Sequence, residues 1–177
     1  IIARSSDGVC DGVAIGGDRY PGSRFIDHIL KYQNNPDCKI IVLLGEVGGV
    51  DEYEVMDAVK EGKITKPIVA WCVGTCASAF SYDVQFGHAG AQARGDMETA
   101  RAKNAAMRAA GIIVPDSFTG LGDQINNTFN KLVQKGVINL KAEPDVLAYI
   151  HQFLLYNLGV PLVLVELLQL RKCSTWL

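Results

Sequence analysis

The residues of this chain best placed to do chemistry are two: a histidine and a carboxylate, each framed by glycine. His88 stands in Gly87-His88-Ala89-Gly90-Ala91, where its neighbours carry neither bulk nor charge. An imidazole set this way can be approached closely by something large and anionic, such as a phosphoryl group. The same pentapeptide also suits a turn around a buried, hydrogen-bonded histidine, since the imidazole pKa serves many roles. Glu46 stands in Gly45-Glu46-Val47-Gly48-Gly49, 42 positions upstream. A histidine that accepts a phosphoryl group needs one ring nitrogen deprotonated and outward, while the other donates to a carboxylate. That carboxylate fixes the tautomer and stabilises the charge that develops on the ring. Glu46 is the candidate for this partner; its alternative is an exposed turn carboxylate. The phosphate itself should be cradled by backbone N–H groups and helix N-termini. Gly87, Ala89 and Gly90 are the candidate residues for that contact.

These groups can cooperate only if the fold gathers them. The chain alternates short apolar runs with amphipathic stretches, the pattern of β-α-β units around a parallel sheet. Val13-Ala14-Ile15 reads as a strand turning at Gly16-Gly17, with Ser23 capping a helix whose apolar face is Phe25, Ile26, Ile29 and Leu30 and which Pro36-Asp37 ends. Ile40 to Leu44 is a continuous apolar run, as for a strand buried on both faces. Residues 50–61 read as a helix with Tyr53, Met56, Ala58 and Val59 inward and acids in its first turn. A strand over Ile68 to Val73 follows Lys66-Pro67. Residues 98–110 read as an alanine-rich helix ending at Gly111, followed by a short strand at Ile112-Ile113-Val114. Leu121, Ile125, Phe129, Leu132 and Val133 line a last helix that stops at Gly136. In an open parallel sheet, functional loops gather at the carboxyl ends of the strands. Gly16-Gly17, Gly45-Glu46 and Gly74-Thr75 would each follow a strand, bringing Glu46 and His88 to one sheet edge.

Four segments, taken as a set and in order, resemble the ATP-citrate lyase family. They are Gly16-Gly17-Asp18-Arg19-Tyr20-Pro21-Gly22-Ser23, Leu43-Leu44-Gly45-Glu46-Val47-Gly48-Gly49, Ala70-Trp71-Cys72-Val73-Gly74-Thr75-Cys76-Ala77, and the His88 loop. The matching part is the family's succinyl-CoA-synthetase-like module, which carries the phosphohistidine. Succinate–CoA ligase α subunits share the glycine-rich pieces but lack the Asp18-Arg19-Tyr20 and Trp71-Cys72 versions, and so form the alternative. The resemblance covers about residues 1–138 and implies a flavodoxin-like, doubly wound parallel sheet. It implies that His88 is the phosphorylated nucleophile and Glu46 the residue that orients it. It also implies an enzyme that uses ATP with Mg, citrate and CoA, passing through a phosphohistidine and citryl-phosphate to acetyl-CoA and oxaloacetate. One phosphate-cradling helix of the family would begin just upstream of Ile1-Ile2. The nucleotide, CoA and cleavage domains match nothing here, so this polypeptide alone is expected to bind none of these substrates and to be inactive. Association with other lyase subunits, as a homo- or hetero-oligomer, is expected. A non-catalytic module that docks onto full-length subunits is the reading from another class.

Composition is consistent with one globular domain. Of 177 residues, 49% are hydrophobic and 20% charged, and the formal net charge of −2 with no Lys/Arg cluster leaves no footprint for nucleic acid. Five cysteines at irregular spacing suggest reduced thiols packed as small hydrophobes in a cytoplasmic protein, with no metal site. Ile1-Ile2-Ala3-Arg4-Ser5 is not the start of a signal peptide and carries no Met, so the chain is expected to begin inside a longer protein. Residues 1–140 are expected to form the phosphohistidine domain. From Asp145 to Leu177, 21 of 33 residues are apolar, and residues 141–177 read as an atypical tail that does not match the family. Its polar interruptions, Glu166 among them, argue against a membrane span. Of the weaker candidates, Asp18 and Arg19 could meet an anion or form a loop salt bridge. His28 reads as a helix edge position, His151 falls in the tail, and Trp71 and Phe86 read as core.

Overall fold

A computed structural model describes residues 1–17, 20–80, 82, 84–87 and 90–140. Two six-residue strands, β1 (Ile41–Glu46) and β2 (Ile68–Val73), pair in parallel with Ile41 opposite Ile68 and Glu46 opposite Val73. Both are rich in Val, Ile and Leu, which pack well on a pleated surface. Beyond β2, Ile113 makes a single parallel bridge to Val69, its N–H donating to Ile68 O at 3.0 Å and its carbonyl accepting from Ala70 N at 2.8 Å.

Helices cover both faces of this sheet. On one side lie α2 (Phe25–Asn34), α3 (Asp51–Lys60) and α4 (Ala100–Ala109). Ile29, Val55, Met56 and Met107 from these helices meet Ile41, Leu43, Ala70 and Cys72 in the larger core. On the other side, α5 (Leu121–Gln134) packs Leu121 and Ile125 on Val69 and Trp71. The one-turn helix α1 (Ile2–Ser5) lies on α5, where Asn126 Nδ2 donates to Ser5 O. Helices on both faces of a parallel sheet are the doubly wound arrangement read from the sequence. Residues Ile1–Asn139 form one compact unit. The atypical tail (141–177) lies outside the described residues, and no described helix is long and apolar enough to cross a membrane.

The strand at Ile68–Val73 and the helices at α3, α4 and α5 stand where the periodicity puts them. Several local expectations are corrected. Val13-Ala14-Ile15 forms no strand: residues 7–17 are irregular and mostly exposed, Val13 at 46%, so an apolar triplet without a paired neighbour is not held extended. β1 is buried on one face, since Leu44 is 52% exposed while Leu43 is buried, and Gly45-Glu46 are its last residues and not a loop after it. Arg24, and not Ser23, is the N-cap of α2: its N–H is taken by the Asp27 carboxylate at 2.9 Å, and Ser23 Oγ lies 2.9 Å from His28 Nε2. His28 is thereby a partly buried helix position held by a local hydrogen bond, in line with its edge assignment. Ile112-Ile113-Val114 shrinks to the one-residue bridge at Ile113.

Candidate active site at the carboxyl end of the sheet

Glu46 is the last residue of β1, half-buried, at the carboxyl end of the sheet. Alternation along the strand puts its side chain on the face opposite Gly45. Gly45 must lack a side chain, because a Cβ there would run into the Glu52 carboxylate. After Glu46 the chain turns through Val47 and Gly48 into α3. Val47 N donates to Val73 O at 2.9 Å, extending the β1–β2 ladder by one rung. Gly48 adopts φ +93°, a left-handed conformation that glycine reaches without steric cost. A Cβ at this position would collide with the backbone carbonyl of Gly90 and with Gln92.

That contact sets the site. The loop that carries His88 is closed at its base by Phe86 N donating to Ala91 O at 2.9 Å. Ala91 is fully buried and Phe86 packs against the core, so both loop ends are anchored, as the core assignment of Phe86 requires. Gln85 Nε2 donates to Gly87 O at 2.9 Å, and Gly87 has φ +91°. The loop's Gly90 carbonyl rests against Gly48, two residues past Glu46. His88 and Ala89 lie outside the described residues, as do Asp18 and Arg19.

A second group of residues holds this turn from beneath. Lys103, on α4 and 1% exposed, places Nζ 2.7 Å from Glu52 Oε2, 2.9 Å from Glu46 O and 2.5 Å from Gly48 O. Those three acceptors match the three donors of an ammonium group. Gly48 N donates to Glu98 O at 2.8 Å, so both polar groups of Gly48 are fixed. Burial pushes the Glu52 carboxyl above its usual pKa, and the neighbouring Lys103 charge opposes that shift. Cys72 Sγ lies 4.0 Å from Glu52 Oε1, and its thiol is pushed up to about 12, mainly by burial and next by the Glu52 charge. Cys72 is therefore an inert packing thiol, as the composition suggested, and so is buried Cys38. Cys10 and Cys76 are exposed instead. Beside Lys103, the Asn104 amide accepts from Cys72 N at 2.8 Å and donates to Cys72 O at 3.0 Å. It satisfies β2 where the bridge to Ile113 has ended.

Sequence reasoning missed Lys103, Glu52 and Asn104. A signal was present: Lys103 and Asn104 fall in phase with Ala100 and Met107, and Glu52 in phase with Val55 and Met56, at the core-facing spacing of their helices. Charges on an apolar stripe point to a buried pair. Trp71 is core, 6% exposed beside Leu121 and Ile125.

Comparison with known proteins shows what this chain is similar to. A family model described as CoA-ligase matches residues 1–113. The probable ATP-citrate synthase subunit 1 of Neurospora crassa is 61% identical over 146 residues, 82% of this chain and 22% of the relative. ATP-citrate synthase of Homo sapiens is 59% identical over 138 residues, 78% of this chain and 12% of that protein. Among solved structures, an ATP citrate lyase from Methanosaeta concilii in complex with (3S)-citryl-CoA superposes with a TM-score of 0.79 at 53% identity. It matches 82% of this chain and 24% of that one. The chain thus spans less than a quarter of the length of these relatives.

Proposed function

The chain belongs to the CoA-ligase family, and from that footing we propose that it is the phosphohistidine module of an ATP-citrate lyase. In this reading His88 takes the γ-phosphoryl group of ATP on a ring nitrogen, with ADP leaving. It then gives the group up to a citrate carboxylate. CoA attacks the resulting citryl-phosphate and expels phosphate, and citryl-CoA is cleaved to acetyl-CoA and oxaloacetate. Glu46 accepts a hydrogen bond from the second ring nitrogen and stabilises the phosphorylated ring. Gly87, Ala89 and Gly90 offer backbone N–H groups to the phosphate without side chains in the way.

The observation that carries this reading is the seating of Gly90 on Gly48, which brings the base of the His88 loop against the turn that follows Glu46. Phosphoryl transfer rests on positioning and preorganised electrostatics, and two anchored loops at one sheet edge supply the first of these. The ATP-citrate synthase relatives, at 59–61% identity, favour the lyase over the succinate–CoA ligase alternative. ATP with Mg, CoA and citrate are substrates of the whole enzyme, and no binding site for them is assigned to these residues. The reading implies a cytoplasmic enzyme assembled with further lyase subunits. It also implies that a polypeptide of these 177 residues alone turns over no citrate.

The test is formation of acid-labile phosphoenzyme from γ-labelled ATP in a complete lyase carrying this segment. His88→Ala should abolish both the label and citrate cleavage. Glu46→Gln should keep the fold and slow labelling severely. Label that persists in His88→Ala would show that another residue is the nucleophile.

A further inference from the structure

Lys103 meets the turn after β1 at two carbonyl oxygens, and nothing in the phosphohistidine chemistry itself calls for it. Its ammonium group is 1% exposed and lies between the Glu46 and Gly48 carbonyls and the Glu52 carboxylate, at 2.9, 2.5 and 2.7 Å. Glu52 is itself 2% exposed. A lone buried charge carries a large desolvation cost, and this pair offsets it through Coulomb attraction and three short hydrogen bonds. The ordinary expectation for such a pair is the interior of a core. Here it is spent on main-chain atoms of the two residues that define the site: the one bearing the candidate carboxylate, and the one on which the histidine loop rests.

The connectivity is specific. Gly48 gives its carbonyl to Lys103, its N–H to the Glu98 carbonyl and its open Cα side to the Gly90 carbonyl. Lys103 and Glu98 lie on and just before α4, and Glu52 lies on α3. Gly45, without a Cβ, admits the Glu52 carboxylate beside the strand. Lys103 on α4 and Glu98 just before it therefore hold the Glu46–Gly48 turn through polar contacts, and Glu52 on α3 joins them through Lys103. If only stability were at stake, apolar residues of similar volume could replace Lys103 and Glu52 together at little cost. An ammonium donor fixes where two particular carbonyl oxygens lie.

From this geometry we infer that Lys103 is a positioning residue for phosphoryl transfer, which holds the Glu46 turn in register with the His88 loop while Glu52 neutralises it. The inference rests on the phosphohistidine reading given above. Lys103 is buried and acts through the peptide units of Glu46 and Gly48. Its loss would let the turn relax by a fraction of an ångström, enough to upset a near-attack geometry.

The experiment uses a complete lyase carrying this segment, and compares Lys103→Met with the paired variant Lys103→Met/Glu52→Gln. The single variant strands a buried carboxylate and can lose fold; the pair removes both charges and keeps the volume. For the folded pair, the rate of phosphoenzyme formation at saturating ATP should fall about ten- to a hundred-fold, with the KM for ATP unchanged. Adding Glu46→Gln to the pair should cost less than Glu46→Gln costs the parent enzyme, because both act on one geometry. A paired variant that melts like the parent and is labelled at the parent rate would overturn the inference. So would full additivity with Glu46→Gln. Should His88→Ala still be labelled, the phosphohistidine reading itself fails, an outcome distinct from either of these.

Discussion

Lys103 Nζ sits 2.7 Å from Glu52 Oε2, with the two side chains 1% and 3% exposed, and the pair links α4 to α3 directly beneath the Glu46 turn. The pairs Arg24–Glu54, Lys60–Asp57, Lys63–Glu61 and Arg108–Asp116 lie at the surface, with side chains between 42% and 109% exposed. Surface pairs of that kind contribute roughly 0–1 kcal/mol. The buried pair is of another order, because removing one partner leaves a charge with no solvent.

Lys103→Met should therefore destabilise the chain by about 3–5 kcal/mol near neutral pH, and the deficit should depend on pH in a stated direction. Burial already raises the Glu52 pKa above 4.5, and losing Lys103 removes the influence that lowers it. An acid whose folded pKa lies above its unfolded one binds its proton more tightly when folded, so stability falls as pH rises through the window above 4.5. The gap in melting temperature between parent and variant should then be widest at neutral pH and narrow as pH falls towards 4.5 and below. Thermal melts across that range check it; a gap independent of pH would mean that Glu52 is not what the variant leaves unpaired.

Gly48→Ala should damage both fold and site. The residue has φ +93°, and its new methyl group would meet the Gly90 carbonyl. The backbone strain alone is worth about 1–3 kcal/mol. Gly49→Ala is the control: its φ is +62°, but no heavy atom lies within 4 Å of its Cβ position. Urea midpoints of the two variants should differ, with Gly48→Ala the lower. Equal midpoints would show that the contact with Gly90 yields without cost.

Asn104→Leu keeps the volume of a 4% exposed side chain and deletes the partners of Cys72 N and Cys72 O. Each buried peptide group left without a partner costs about 1–3 kcal/mol. Asn104→Asp should retain one of the two bonds at most and bring in a charge, so it should be no better. Amide exchange at Cys72, measured by NMR, should speed up in Asn104→Leu before any other β2 amide does.

Thiol chemistry should sort the cysteines by environment. Cys72 is fully buried with its pKa pushed up to about 12, and Cys38 is 5% exposed with its pKa raised by burial, while Cys10 and Cys76 are exposed. The thiolate is the reactive form, so iodoacetamide at about pH 8 should label Cys10 and Cys76 of the folded chain and spare Cys38 and Cys72. Mass spectrometry of tryptic peptides reads this directly. Rapid labelling of Cys72 would show that β2 opens far more readily than its packing indicates.

Local information was enough for much of this architecture. The apolar run at Ile68–Val73, the helical spacing of Met56, Ala58 and Val59, and that of Leu121, Ile125 and Phe129 each fix an element, because the side-chain period is a property of the backbone itself. The glycine-framed His88 and Glu46, with the segments around them, carried the family resemblance in the same way. Tertiary structure decided the rest. Whether Val13-Ala14-Ile15 becomes a strand depends on a neighbour to pair with, and its composition cannot supply one. Whether β1 is covered on one face or two depends on where α1 and α5 come to rest, and an apolar run reads the same in either case. That Lys103 and Glu52 form a pair, and spend it on the carbonyls of Glu46 and Gly48, follows from packing α4 and α3 side by side on one sheet. They are 51 positions apart, and no sequence spacing encodes that meeting. Their phase on two apolar stripes could mark each as buried, but only the folded chain makes them partners.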